Sequence, residues 1–175
     1  MSLRSALKFL LTLVGIIFLY MLFFYIIGPL FHELGHVLMA IIIGVPFEDL
    51  SFSFFPGLGP GVNIPKYVPV ESFKYIRYAG GIFSGILLAV GYTFFFISHR
   101  KAFTESEWWV NYKWWIGWIL LFNIVYNLFV SYCEGTHYIE YIDGVIPTVT
   151  HFLIVIVISL ALNFTVSIIF RKRES

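Results

Sequence analysis

The chain has 175 residues, 59% of them hydrophobic and 12% charged, with a net charge of +1 and a mean hydropathy of +0.87. An ordinary soluble domain carries roughly a quarter charged residues, so a soluble two-domain protein, a disordered chain and a secreted disulfide scaffold are excluded. No basic patch alternates with exposed aromatics, which excludes nucleic acid as a partner, and the lone Cys133 cannot form an internal disulfide.

Apolar runs bounded by basic residues at 8–45, 77–98, 108–133 and 147–170 predict an all-α integral membrane protein of about four transmembrane helices. It reads as one membrane-embedded core over 1–175, multi-pass in the cell membrane, with no separate regulatory domain. The first run is too long for a signal peptide and ends in charged residues where a small-residue cleavage site would stand, so it belongs to the mature structure. From Phe9 to Phe31 there are 23 residues without a charge, about 35 Å of helix against a hydrocarbon core of about 30 Å. One span therefore fits before His32. Apolar character resumes from Val37 to Val45, so the alternative is a hairpin of two helices turning at Gly28-Pro29, which gives a five-span variant.

Residues 46–74 form the longest polar connection and hold Pro46, Pro56, Pro60 and Pro65 with Gly57, Gly59 and Gly61, so no long helix fits there. Within it Leu50-Ser51-Phe52-Ser53-Phe54 alternates apolar and small polar residues, the period of a short membrane-associated β segment or surface hairpin with one oily face.

The second span opens with Ala79-Gly80-Gly81 and continues to Ser84-Gly85, small residues spaced for close approach of another backbone. Trp108, Trp109, Trp114, Trp115 and Trp118 introduce the third run and are expected at a headgroup boundary, rings buried and N–H groups wet. Asn163-Phe164-Thr165 matches a glycosylation pattern but lies inside the last span, which discounts it. With four spans, Arg4, Lys8, Arg100, Lys101, Arg171, Lys172 and Arg173 share one side, against Lys66, Lys74 and Arg77 on the other. Seven against three favours cytosolic termini. The five-span variant divides the charges five to five.

The sharpest chemical signal is His32-Glu33-Leu34-Gly35-His36. Imidazoles at i and i+4 lie on one helix face and can bind one zinc ion. Glu33 lies about a quarter-turn round the helix from His32, better placed to act on a water at the metal than to join the ligand set. Three ionisable side chains within five residues of an apolar run cost several kcal/mol unless paired or coordinated. A third ligand is needed. His99 sits beside Arg100 and Lys101 and reads as a solvated loop residue, and His151 as a core histidine or an outer partner of the site. The stretch Asn127 to His137 remains, in which Glu134 and His137 are one turn apart, with Asp143 six residues further on. Cys133 is a soft ligand by type but faces about 100° away from Glu134.

These residues resemble the site-2 protease family of intramembrane zinc metalloproteases. His-Glu-Leu-Gly-His, Ala40, Gly44-Val45, Glu48 and the Phe/Ser-rich strand look like that family's first core helix and following extended segment. Ala79-Gly80-Gly81-Ile82-Phe83-Ser84 is similar to its Ala-Gly-Pro element with an Asn three residues after the Pro, and Asn127-Leu128 followed by Glu134-Gly135-Thr136-His137 looks like its Asn-Leu-x-Pro stretch leading into Asp-Gly-Gly-His. The resemblance implies His32 and His36 as zinc ligands, Glu134 in the place of the ligand aspartate, and Glu33 as general base. Ser84 stands where the family has its Asn, Val130 where it has the second Pro, and the third segment is one residue shorter. Ser84, Asn127 and His137 are the residues expected to support the site or position substrate.

The sequence thus predicts a zinc-dependent metalloendopeptidase that hydrolyses a peptide bond in or near a transmembrane segment of a membrane-protein substrate. A non-enzymatic or catalytically silent membrane protein that binds or transports metal is the alternative. The resemblance implies a site opening toward the cytosol, whereas the charge count places the 46–74 connection outside.

Overall fold

The computed structural model describes residues 3–55, 59–104, 112–136 and 149–171. Helix α1 (Leu3–Leu22) passes through a π-helical turn at Phe23–Ile27 into α2 (Gly28–Ile42) without reversing. Ile27 and Gly28 keep right-handed helical dihedrals, and the Gly28 N–H reaches back to Phe23 O. The wide turn accommodates Pro29, whose ring and missing N–H break an ordinary i→i−4 ladder. The hairpin at Gly28-Pro29 does not form, and the five-span variant goes with it.

Among the described residues four helices are long and apolar enough to cross a membrane: Leu10–Ile42, Val70–Ser98, Tyr112–Thr136 and Val149–Phe170. The first has 33 residues, about 50 Å at 1.5 Å per residue. Its last turns, which carry both histidines, therefore lie at one end of the bundle. Large apolar side chains such as Leu11, Phe18, Phe94 and Val157 are exposed, while Ser84, Asn127, Ser131, Ser159, Asn163 and Ser167 are buried. That distribution suits an apolar solvent.

Gly44, at φ +93°, ends α2. The Val45 N–H bonds Ala40 O and the Gly44 N–H bonds Ile41 O, the paired closure that a left-handed glycine makes at a helix C-terminus. Ala40 and Val45 then join one buried cluster with Val37, Leu50, Val68 and Ile76.

Strands β1 (Ser51–Phe55) and β2 (Gly59–Asn63) form an antiparallel hairpin with Phe52 opposite Val62 and Phe54 opposite Pro60. The strand begins at Ser51, one residue after the start of the alternation read over 50–54; of its apolar residues Leu50 is buried in the cluster at the end of α2, whereas Phe52 is 58% exposed beside Phe47. Val62 and Ile64 pack on the cluster at the end of α2. The Tyr67 hydroxyl donates to Asp49 below the hairpin, which raises the phenol above its ordinary pKa.

Helix α3 (Val70–Ser98) starts directly after Pro69, so the connection is shorter than the 46–74 expected from its polarity. Charged residues fit in its first turns because Lys74 and Arg77 lie over the Tyr78 and Phe73 rings. The short α4 (Arg100–Thr104) folds Phe103 back against Phe96 and Trp114. Helix α5 (Tyr112–Thr136) packs along α3 and is covered on its other side by α6 (Val149–Arg171).

The small residues of α3 let these helices approach. A Cβ on Gly81 would lie 2.5 Å from Ser131 Cβ, and one on Gly35 would lie 2.6 Å from Ala79 O. The α5–α6 contact combines aromatic and aliphatic packing, such as Phe122 against Phe152, with polar pairs. Trp114 Nε1–H donates to Ser167 Oγ at 2.9 Å, Trp118 Nε1–H to Ser159 Oγ at 3.0 Å, and Asn163 Nδ2–H to Trp114 O at 3.2 Å. The expectation of wet tryptophan N–H groups is therefore corrected for Trp114 and Trp118: a serine on the facing helix satisfies each donor. Trp108 and Trp109 lie outside the described residues. Asn163 is fully buried and accepts from Tyr92 OH, so its glycosylation pattern has no access.

Candidate metal centre

His32 and His36 lie one turn apart on α2, with ring centroids 4.6 Å apart and planes at 87°. Glu134, near the end of α5, brings Oε2 to 3.0 Å from His32 Nε2 and 3.4 Å from His36 Nε2. All three are buried, at 7%, 5% and 5% exposure for His32, His36 and Glu134. Their candidate ligand atoms lie within 4.8 Å of one another.

The motif supplies two of these groups, and helix packing supplies the third from 102 residues away. Ser131 Oγ–H donates to Tyr78 O at 2.5 Å, and a side chain on Gly135 would strike the Tyr78 ring. These contacts seat the last turns of α5 on α3 and so place Glu134 opposite α2.

The hydrogen bonds decide which atoms are free to ligate. His36 Nδ1 lies 2.7 Å from Ile76 O; a carbonyl accepts only, so Nδ1 carries the proton. Nε2 then presents its lone pair toward a carboxylate oxygen at 3.4 Å. Two acceptors facing each other in a buried site need a cation or a shared proton between them. With Oε2 at 3.0 and 3.4 Å from the two imidazole nitrogens and all three ligand atoms within 4.8 Å of one another, one ion can be shared by the group. The carbonyl partner on His36 is the kind of outer tether that orients metal-ligating imidazoles. The His-His-Glu group therefore fits a metal ion.

Gly80 of α3 forms the wall beside the imidazoles. A Cβ there would lie 2.7 Å from His36 Nε2 and 2.9 Å from His32 Nε2. The Gly80-Gly81 pair signalled close packing, but nothing in the sequence said that one glycine faces the histidines and the other faces α5.

Glu33 does not join the trio. Its carboxylate accepts the Val62 N–H of β2 at 2.9 Å. Ser84 and Asn127 meet each other: Ser84 Oγ–H donates to Asn127 Oδ1 at 2.7 Å, and Asn127 Nδ2–H donates to Asn123 O. Both are buried in the α3–α5 seam, with Ser84 one turn along α3 from Gly80. His137 and Asp143 lie outside the described residues. His99 bonds Phe95 O and stacks on that ring, and His151 lies against Phe129 at the start of α6. Cys133 is half-buried and outside the metal group. Comparison of the chain with family models, curated proteins and solved structures finds no match in any of the three.

Proposed function

We propose that this chain is an intramembrane zinc metalloprotease of the site-2 protease type, which hydrolyses a peptide bond in or near a transmembrane segment of a membrane-protein substrate. The observation that carries the proposal is the convergence of His32, His36 and Glu134 in a buried site, with the carboxylate of Glu33 on the same helix and outside that trio. Two imidazoles and one carboxylate leave an open position, the pattern of catalytic zinc sites. Bound there, zinc supplies a Lewis acid that acidifies water and polarises the scissile carbonyl. His32, His36 and Glu134 hold the ion. Ile76 O fixes the His36 tautomer, and Glu33 takes the proton from water and returns it to the leaving amine. A substrate helix must unwind first, because its peptide bonds are shielded by their own hydrogen bonds, and the hairpin offers an extended segment somewhere to pair. The apolar outer faces support a lipid bilayer as the setting for this chemistry, on this reading that of a cell membrane.

A second reading, a non-enzymatic protein that binds or transports metal, is favoured by one observation: Glu33 already has a structural partner in the Val62 N–H. Glu33→Gln separates the two. A glutamine oxygen still accepts that N–H, so a purely structural Glu33 tolerates the change. A general base does not, and cleavage of a transmembrane substrate falls by orders of magnitude at unchanged zinc content. Equal cleavage by the two proteins at equal zinc occupancy removes Glu33 from the mechanism, and no cleavage by the zinc-loaded wild type removes the protease reading.

A further inference from the structure

The hairpin has two edges, and they differ. Val62 donates away from β1, to Glu33, so Phe52 and Val62 form a pair that does not exchange ladder hydrogen bonds. In an antiparallel ladder such pairs alternate with bonded ones. The outward positions of β2 are therefore 60 and 62, opposite Phe54 and Phe52. Pro60 has no N–H. Within β2, the Val62 N–H is thus the only outward donor, and Glu33 holds it.

An extended peptide that adds to β2 beside the metal group needs that same donor, since strand addition is built from main-chain hydrogen bonds. Pairing at the outer edge of β1 instead places the peptide about two strand spacings, roughly 10 Å, from the edge that Glu33 occupies. We infer that the Val62 N–H is a shared donor, held by Glu33 at rest and taken by a backbone carbonyl of the substrate's extended segment, so that Glu33 is released only when the β2 edge is filled. This rests on the protease reading and adds a coupling to it: occupancy of the hairpin frees the general base. It also accounts for a carboxylate beside a hydrolytic site being tied to a strand. A single N–H can be exchanged without disturbing the ladder, because it takes no part in the β1–β2 bonds.

The test uses the full chain in detergent, loaded with zinc, and two probes. Acetohydroxamate binds through the metal alone, and a trileucine hydroxamate binds through the metal and its backbone. The quantity read is the affinity advantage of the peptide probe over acetohydroxamate, in which any contact of Glu33 with the hydroxamate group cancels. Val62→Pro removes the donor at a position whose neighbour on the same edge, Pro60, is already proline, and should lower the advantage about fivefold. Glu33→Ala removes the competitor and should raise it several-fold in the wild-type background but not in the Val62→Pro background. Trileucine probes with each amide carbonyl in turn replaced by methylene repeat the cycle without Val62→Pro: one of them should lose the advantage and become insensitive to Glu33→Ala. An advantage unchanged or lowered by Glu33→Ala, or raised equally with and without the donor, overturns the shared-donor inference and leaves the protease reading standing. Failure of the zinc-treated wild type to bind either zinc or acetohydroxamate overturns the protease reading itself.

Discussion

Gly80 and His36 are fitted to each other so closely that a Cβ on the glycine would lie 2.7 Å from the imidazole Nε2. A side chain there pushes the ring off its tether to Ile76 O and away from Glu134. Gly80→Ala should therefore lower zinc affinity on the order of 10–100-fold, the usual effect of disturbing an outer partner of a metal site. Gly91→Ala is the control, because nothing lies within 4 Å of a Cβ at that position. Metal titration of both variants checks it, and equal affinities would mean that the α2–α3 contact does not shape the site.

His32→Ala and His36→Ala should each abolish stoichiometric zinc, and Glu134→Ala should weaken it strongly, because two remaining ligands hold the ion poorly. Metal analysis of the purified variants decides this. Normal zinc content in all three would remove the site.

If each of the four apolar helices found among the described residues crosses the membrane, both chain ends lie on one side. Tags at Ser2 and Ser175 should report the same side of the membrane, and a probe at Gly61 the opposite one. The hairpin and the metal group share an end of the bundle, so the Gly61 result also gives the side on which the site opens. Cytosolic tags would follow the charge distribution; a cytosolic Gly61 would follow the family resemblance.

Asn163 joins three helices through Tyr92 OH and Trp114 O. Asn163→Ala should destabilise the folded protein by about 0.5–2 kcal/mol, the range for polar contacts between membrane helices, with zinc content unchanged. Thermal unfolding in detergent measures the loss. A loss of zinc with no change in stability would contradict the separation of this seam from the metal group.

The apolar runs, their order and the His-Glu-Leu-Gly-His face were legible because each depends on local spacing along the chain: hydropathy over about twenty residues identifies a span, and 3.6 residues per turn aligns i with i+4. Pro29 left the hairpin alternative open for the same reason. Proline's local effect is to break a helix, and only the packed helix shows that a π-turn absorbs it. The tryptophans were read from their average preference for an interface, whereas Trp114 and Trp118 meet serines that lie 53 and 41 residues away in sequence.

By itself the sequence determined a membrane-type composition, four apolar helices and a pair of imidazoles on one face. Glu134 was named from the sequence through the family resemblance, beside His137 and Asp143; tertiary structure brought its carboxylate against the two imidazoles, and it alone decided that Gly80 walls that group and that Glu33 is held by Val62. Those three relationships join α2 to α5, α3 and β2. Each depends on how far two backbones approach and on which way a strand edge faces, and neither quantity is encoded in the spacing of residues along one chain segment.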